Sequence, residues 1–300
     1  MAEYSALSVL RTTAQSHNDH LAALSVAHLP GVKQDFDRLG IDTSPYYRFT
    51  PPEDLGFTAR AVIVVAAASP VASVAFNADG EKITVTIPPS YVDADKEDAV
   101  TLQYLRDALH GYGYAIAPAG GLPCKPIAVH AGLGVYGRNN LLYVEGMGSL
   151  LRLFLFFSDL PCPAENFTPL RRHPMCRSCD KCVSNCPSAA LNHTNELVDA
   201  DRCLCAVNES KADFPEWIKP EWHHAMIGCM RCQDICPINQ PYLQKPQEIA
   251  SYSTVQTLSF LRGELPEERL AVLGMGWYSA VLPRNLMALL PKNDRSEGMG

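Results

Sequence analysis

The sequence predicts an α/β layer joined to a small cysteine-dense domain and closed by a short helical C-terminus, and three observations predict it. Strand-like and helix-like segments alternate up to about residue 165, the pattern that lays helices over a sheet. Between 166 and 245 the apolar periodicity fades, while nine of the 11 cysteines fall between 176 and 236, as in small domains where a metal centre replaces part of the core. From about 248 apolar residues return at helical spacing. The expected domains are therefore 1–165, 166–245 and 246–300, the last ending in a frayed tail, KNDRSEGMG.

The opening, to about Leu39, reads as helical and is interrupted at HLPG, and a proline-rich connector, SPYYRFTPPEDLG, follows. ARAVIVVAAAS, residues 59–69, is a β-branched, nearly all-apolar run suited to a strand buried on both faces. EKITVTIP alternates with period two and suits a strand nearer an edge. From Ala94 to about Tyr112, Ala99, Leu102, Leu105 and Leu109 share one helix face, with acids in the first turn where they complement the dipole. GYAIAPAGGLP reads as a short strand and turn, CKPIAVHAGLG as a helix ended by glycine, and SLLRLFLFFSDL as another interior strand. TVQTLSFLRGELPEERLAVLGMG and LPRNLMALLP supply the closing helices.

At 300 residues, 47% apolar and 19% charged, the chain can bury a substantial core. The formal charge of -7 argues against a polyanion as main partner, because such binding draws on Lys and Arg neutralising phosphates. No basic segment followed by an apolar run opens the chain, and its apolar stretches are broken well short of a membrane span. A cytoplasmic, non-membrane protein is expected, and in that reducing compartment an odd set of 11 cysteines points to metal rather than to disulfides.

Cys176, Cys179, Cys182 and Cys186, the last followed by Pro187, match C-x2-C-x2-C-x3-C-P. That run is the bacterial ferredoxin signature, in which three thiolates grip one 4Fe–4S cluster and the fourth reaches a second. A second half, GCMRCQDICPIN, supplies Cys229, Cys232 and Cys236 but lacks one ligand, which DRCLC offers as Cys203 or Cys205. The crossed arrangement gives Cys176, Cys179, Cys182 and Cys236 to one cluster, and Cys186, Cys229, Cys232 and one of the 203/205 pair to the other. Zinc on two C-x2-C knuckles is the rival and strands the remaining clustered cysteines. Two clusters imply one-electron transfer.

AGLGVYGRNNLL contains G-x-G-x-x-G at Gly132, Gly134 and Gly137, but a helix-like segment precedes it and strand-like sequence follows, the reverse of a dinucleotide site. The glycines are expected to let backbone approach a large flat ligand. AGLGVYGRNNLLYVEGMGSLLRLFLFFSDLP, the cysteine run, DADRCLCAVNES and GCMRCQDICPINQP together resemble the epoxyqueuosine reductase family of cobalamin-dependent iron–sulfur proteins, itself related to reductive dehalogenases. The resemblance spans roughly residues 50 to 240. It implies a base-off cobalamin bound to an α/β corrinoid-binding domain, beside a ferredoxin-like double-cluster domain. It favours Cys203 as the eighth ligand and carries corrinoid contact onto Gly132, Gly134, Gly137, Arg138 and Asn139.

Two departures bear on substrate. The family's aspartate before AGLG has no counterpart, since no carboxylate lies between Asp107 and Glu145, and the C-terminal helical repeats shrink to one piece around LPRNLMALL. With the negative charge, these predict that tRNA is not the partner. The expectation is a cobalamin-dependent reductase of a small substrate, drawing electrons from an external low-potential donor such as a ferredoxin or flavodoxin. Tyr136 is the candidate proton donor, ahead of His130 and Cys124. The rivals are a carrier that reduces a partner's corrinoid, and an epoxyqueuosine reductase acting on tRNA.

Overall fold

The computed structural model describes residues 2–78, 80–164, 167–193 and 197–290. The expected C-terminal tail and the expected domain edge at 165/166 lie outside the described residues. In chain order the helices are α1 (Ala2–Ser16), α2 (Leu29–Arg38), α3 (Ala94–Leu109), α4 (Cys124–His130), α5 (Lys181–Ser184), α6 (Leu204–Glu209), α7 (Arg231–Asp234), α8 (Thr254–Leu261), α9 (Glu267–Ala271) and α10 (Leu282–Leu289). The strands are β1 (His20–Ser25), β2 (Ala61–Ala68), β3 (Ala72–Ala78), β4 (Glu81–Ile87), β5 (Ile116–Pro118), β6 (Val135–Tyr136), β7 (Leu142–Tyr143), β8 (Leu151–Ser158) and β9 (Gln247–Tyr252).

The chain divides into two compact units. The first comprises Met1–Ala68, Asp95–Gly137 and Leu141–Arg177. Its sheet runs β1-β2-β8-β5 and is antiparallel throughout. Side chains alternate across a strand, so Val62, Val64 and Ala66 meet Ile127, Ala128 and Val129 of α4 on one face. Ile63 and Val65 meet Leu10 of α1 and Leu105 and Leu109 of α3 on the other. This two-sided burial is what the unbroken apolar run of β2 encodes.

Two details depart from expectation. β1 forms inside the stretch that reads as helical, because its main chain pairs with β2 from Ser25↔Ala61 to His20↔Ala66, and tertiary pairing outweighs the weak strand preference of Ala and Leu. On α3 the buried face is Thr101, Tyr104, Leu105 and Leu109, whereas Ala99 is exposed.

The second unit comprises Ser69–Ala94, Arg138–Asn140 and Ser178–Gly300. The β3–β4 hairpin places β4 at a sheet edge, and β9 adds to β3 in parallel. β9 is a strand where the sequence reads as already turning helical; its partner lies about 175 residues earlier, Ala72 facing Gln247, which local periodicity does not register. Phe76 stacks on Tyr252 and meets Phe260 edge-on, both at 5.2 Å between ring centroids. A capping box of Ser253 and Gln256 starts α8. Asn285 of α10, fully buried, donates to the carbonyls of Asn208 (2.9 Å) and Met226 (3.0 Å), tying the C-terminal helix to the cysteine-bearing loops.

Candidate functional site

The two halves of the cysteine motif fold alike. Each C-x2-C turn opens a one-turn helix, α5 or α7, and each helix is left through a tight turn into Cys186-Pro187 or Cys236-Pro237. The Cys186 amide donates to Val183 O (3.1 Å) and the Cys236 amide to Gln233 O (3.2 Å), so the turns match bond for bond. Proline then bars continuation of either helix. α5 and α7 pack against each other, and Asn185 Nδ2 donates to Arg231 O at 2.7 Å to join them. Arg202 Nε donates to Ser188 O at 2.9 Å, fastening the DRCLC segment to the turn after Cys186.

Cys203 and Cys229 each feel Cys186, and Cys232 feels Cys229, Cys203 and Cys182. Burial pushes the Cys229 thiol up to about 12 and the Cys203 and Cys232 thiols upward as well, with the neighbouring thiols adding to the rise. Burial alone thus works against the thiolate, whereas a bound metal reverses that logic and deprotonates a coordinating thiol outright. A crowded, buried, all-sulfur donor set therefore fits an iron–sulfur cluster. Among the described residues no three His, Cys, Asp or Glu side chains converge on a single-ion position; in a cube each thiolate meets a different iron. Cys176 and Cys236 are buried, and Cys179 and Cys182 are half-buried.

Cys205 feels Cys203 as well, but its thiol has other partners. Its Sγ lies 3.2 Å from Glu209 Oε1 and 3.2 Å from Tyr91 Oη. Cys124, at the start of α4, is held protonated by burial, its thiol pushed up to about 11. Burial also raises Cys162.

The glycine-rich turn has internal reasons for two of its glycines. Gly132 takes φ +78° after the end of α4, the left-handed position glycine fills at helix C-termini. At Gly134 a Cβ would meet Tyr143 O at 2.5 Å, so close approach to β7 excludes any side chain. The Gly137 amide donates to Leu141 O at 2.8 Å, closing the β6–β7 hairpin. Its tip belongs to the second unit and serves the cysteine loops: Arg138 Nε donates to Cys179 O at 3.0 Å, and the buried Asn139 side chain hydrogen-bonds Cys232 and lowers its thiol against the burial effect. Neither loop contact is legible in the sequence.

Tyr136 sits on β6, its phenol pushed above the usual range by burial and then by Tyr47, Asp35 and Cys124. It therefore holds its proton at neutral pH. Both ring nitrogens of His130 are engaged, Nδ1 with Thr168 O and Nε2 with Asp35 Oδ2, each at 2.7 Å. The ring is 1% exposed and stacks on Phe167 at 4.0 Å.

Residues 175–239 match the family described as a 4Fe-4S double cluster binding domain. An epoxyqueuosine reductase of Bacillus subtilis (strain 168) is 26% identical over 190 residues, covering 61% of this chain and 48% of that protein. One from Cyclobacterium marinum is 35% identical over 114 residues, 38% of this chain and 36% of that protein. The chain thus spans about half, or less, of the curated relatives it matches. A solved epoxyqueuosine reductase holding an epoxyqueuosine-modified tRNA stem loop superposes with a TM-score of 0.70 at 17% identity, covering 95% of this chain and 81% of the other, which establishes the shared fold.

These findings correct one expectation. tRNA was not expected as a partner, yet the curated relatives are epoxyqueuosine reductases and a solved neighbour of the same fold carries a tRNA stem loop. Net charge of the whole chain does not exclude such a partner, because binding is decided by the local field of one surface. Among the described residues no helix is long and apolar enough to cross a membrane.

Proposed function

We propose, from the premise that this chain belongs to the epoxyqueuosine reductase family, that it is an oxidoreductase acting on epoxyqueuosine carried by tRNA. The observation that carries the reading is a double-cluster segment at 175–239 in a chain whose curated relatives bear that activity in their names. It is better supported than reduction of a free small molecule, since the curated relatives named here are all epoxyqueuosine reductases. A cytoplasmic location fits such oxygen- and redox-sensitive thiolate chemistry.

Bound here, the clusters would supply one-electron transfer, and a corrinoid would supply a strongly reducing centre. The ligand set we assign to one cluster is Cys176, Cys179, Cys182 and Cys236. To the other we assign Cys186, Cys203, Cys229 and Cys232, supported by the electrostatic proximity of Cys203 to Cys186, Cys229 and Cys232 and by the hydrogen bond of Cys205 to Glu209. Arg138 holds the loop of Cys179 by its carbonyl, and Asn139 stabilises the anionic form of Cys232. The backbone of the turn carrying Gly132, Gly134 and Gly137 is the segment we assign to the corrinoid, on the family resemblance. Tyr136, proton-bearing at neutral pH, is the residue assigned to protonate substrate.

Anaerobically prepared protein tests this directly. Titration with cob(II)alamin should give a saturable base-off absorption spectrum. Gel shifts with epoxyqueuosine-containing tRNA should show a complex that weakens steeply as salt rises. Cobalamin binding without any tRNA complex at low salt would remove the substrate assignment and leave the cluster assignment standing.

A further inference from the structure

The surroundings of Cys205 point to a residue that sets the properties of the second cluster, an inference that rests on Cys186, Cys203, Cys229 and Cys232 holding it. α6 begins directly after Cys203, and Cys205 and Glu209 stand one helical turn apart on it. Glu209 Oε1 accepts from the Cys205 thiol at 3.2 Å and from the Tyr91 hydroxyl. Tyr91 reaches this carboxylate from the segment after β4, with its ring set edge-on against Tyr278 at 5.3 Å. The same ring lies on the backbone of Gly228, where a Cβ would come 2.7 Å from Tyr91 Cζ and where φ is +62°. Only glycine fits there. Cys229 follows it immediately, and Asn208 Nδ2 donates to Gly228 O at 2.7 Å.

One carboxylate is thereby held beside two ligand-bearing stretches, through its own helix after Cys203 and through Tyr91 at the peptide before Cys229. Neighbouring guanidiniums are engaged with backbone carbonyls: Arg284 with Val207 and Asn208, Arg231 with Trp222 and Glu221, Arg202 with Ser188. Reducing a cluster adds one electron to it, and a fixed anion nearby opposes that addition. Nearby charge and hydrogen bonding are among the factors that set cluster potential.

We infer that Glu209 is a tuning residue of this cluster: its carboxylate, positioned by Tyr91 and Cys205, lowers the cluster's reduction potential and keeps Cys205 in use as a donor rather than a ligand. The test is an anaerobic redox titration with dithionite, followed by electron paramagnetic resonance, on wild type, Glu209→Gln and Tyr91→Phe, with iron counted in each. Glu209→Gln should raise the reduced-to-oxidised ratio of one cluster about tenfold at fixed poise, equivalent to about 59 mV for a one-electron couple, and leave the other unmoved. Tyr91→Phe keeps the charge but removes the phenol that disperses it, so it should move the same cluster the opposite way by less. Unchanged potentials at full iron content overturn the inference, as do shifts of the same sign. If Glu209→Gln loses iron, Tyr91→Phe decides alone, a downward shift supporting the inference and any other result overturning it. Loss of iron in both makes the pair a structural brace and also overturns it. A wild-type protein binding only one cluster refutes the ligand assignment, and the inference falls with it, whereas two wild-type couples that neither variant moves sink the inference alone.

Discussion

The first unit's sheet and the cysteine-bearing segment of the second unit reach order by different means. In the first, β2 alone buries Ala61, Val62, Ile63, Val64, Val65 and Ala66. In the second, the buried apolar side chains described between 178 and 224 are Ala190, Leu191, Leu204 and Ile218, and the loops are fastened by single side-chain bonds such as Asn185 to Arg231 and Arg202 to Ser188. Apolar burial is non-directional and tolerates imprecision, whereas each of those bonds has one donor and one acceptor. Such a segment draws its stability from what its cysteines bind. The consequence is that the sheet and the cysteine segment should fail separately.

Removing iron with a chelator under reducing conditions is the sharpest way to break this contrast. Amides in 178–239 should lose nearly all protection from hydrogen exchange while those of β2 and β8 keep theirs, as read by mass spectrometry. Protection that survives in both would show that the cysteine segment holds itself. Next in size, Phe156→Ala, at a site 2% exposed in the first unit's core, should cost about 3–5 kcal/mol in denaturant unfolding of that unit. Its iron content should stay whole, and a loss of iron in step with the core would erase the distinction. Asn139→Ala removes a hydrogen bond to the Cys232 sulfur worth about 1.5–3 kcal/mol when its acceptor is charged. Iron release to chelator should therefore speed up at least about tenfold, since about 1.4 kcal/mol is a factor of ten.

The smallest effect belongs to Asp19. Burial raises its carboxyl above 3.8, partly opposed by the Tyr104 hydrogen bond at 2.7 Å. A raised acid is penalised while charged, so its cost is fully present at neutral pH and is relieved as pH falls through the folded-state value. Asp19→Asn should therefore raise the urea midpoint of the first unit relative to wild type at pH 7, with the difference narrowing toward pH 4. A difference that widens on acidification would reverse the sign assigned to this site.

What the sequence made legible follows the same division between local and distant causes. β2, β8, α3 and α4 carry their reasons within their own residues, in continuous apolar runs or a stripe at helical spacing. The cysteine motif is equally local, seven of its eight assigned ligands lying in 176–186 and 229–236. β1 and β9 are strands because of partners elsewhere, β2 and β3, and their composition announces neither. Arg138 and Asn139 stood out as part of a glycine-rich stretch, yet their contacts with the Cys179 and Cys232 loops exist only once the β6–β7 hairpin is folded. Tyr91 gave no signal at all, being 114 residues from the thiol it meets.

The parallel pairing of β9 with β3 bears on how this protein can be shortened. A chain ending after the last cysteine-bearing turn would strip β3 of its neighbour from Ala72 to Phe76 and uncover Phe76 where Tyr252 now covers it. An open, apolar strand edge recruits other strands, so the severed protein would clump through that rim even with its metal centres intact.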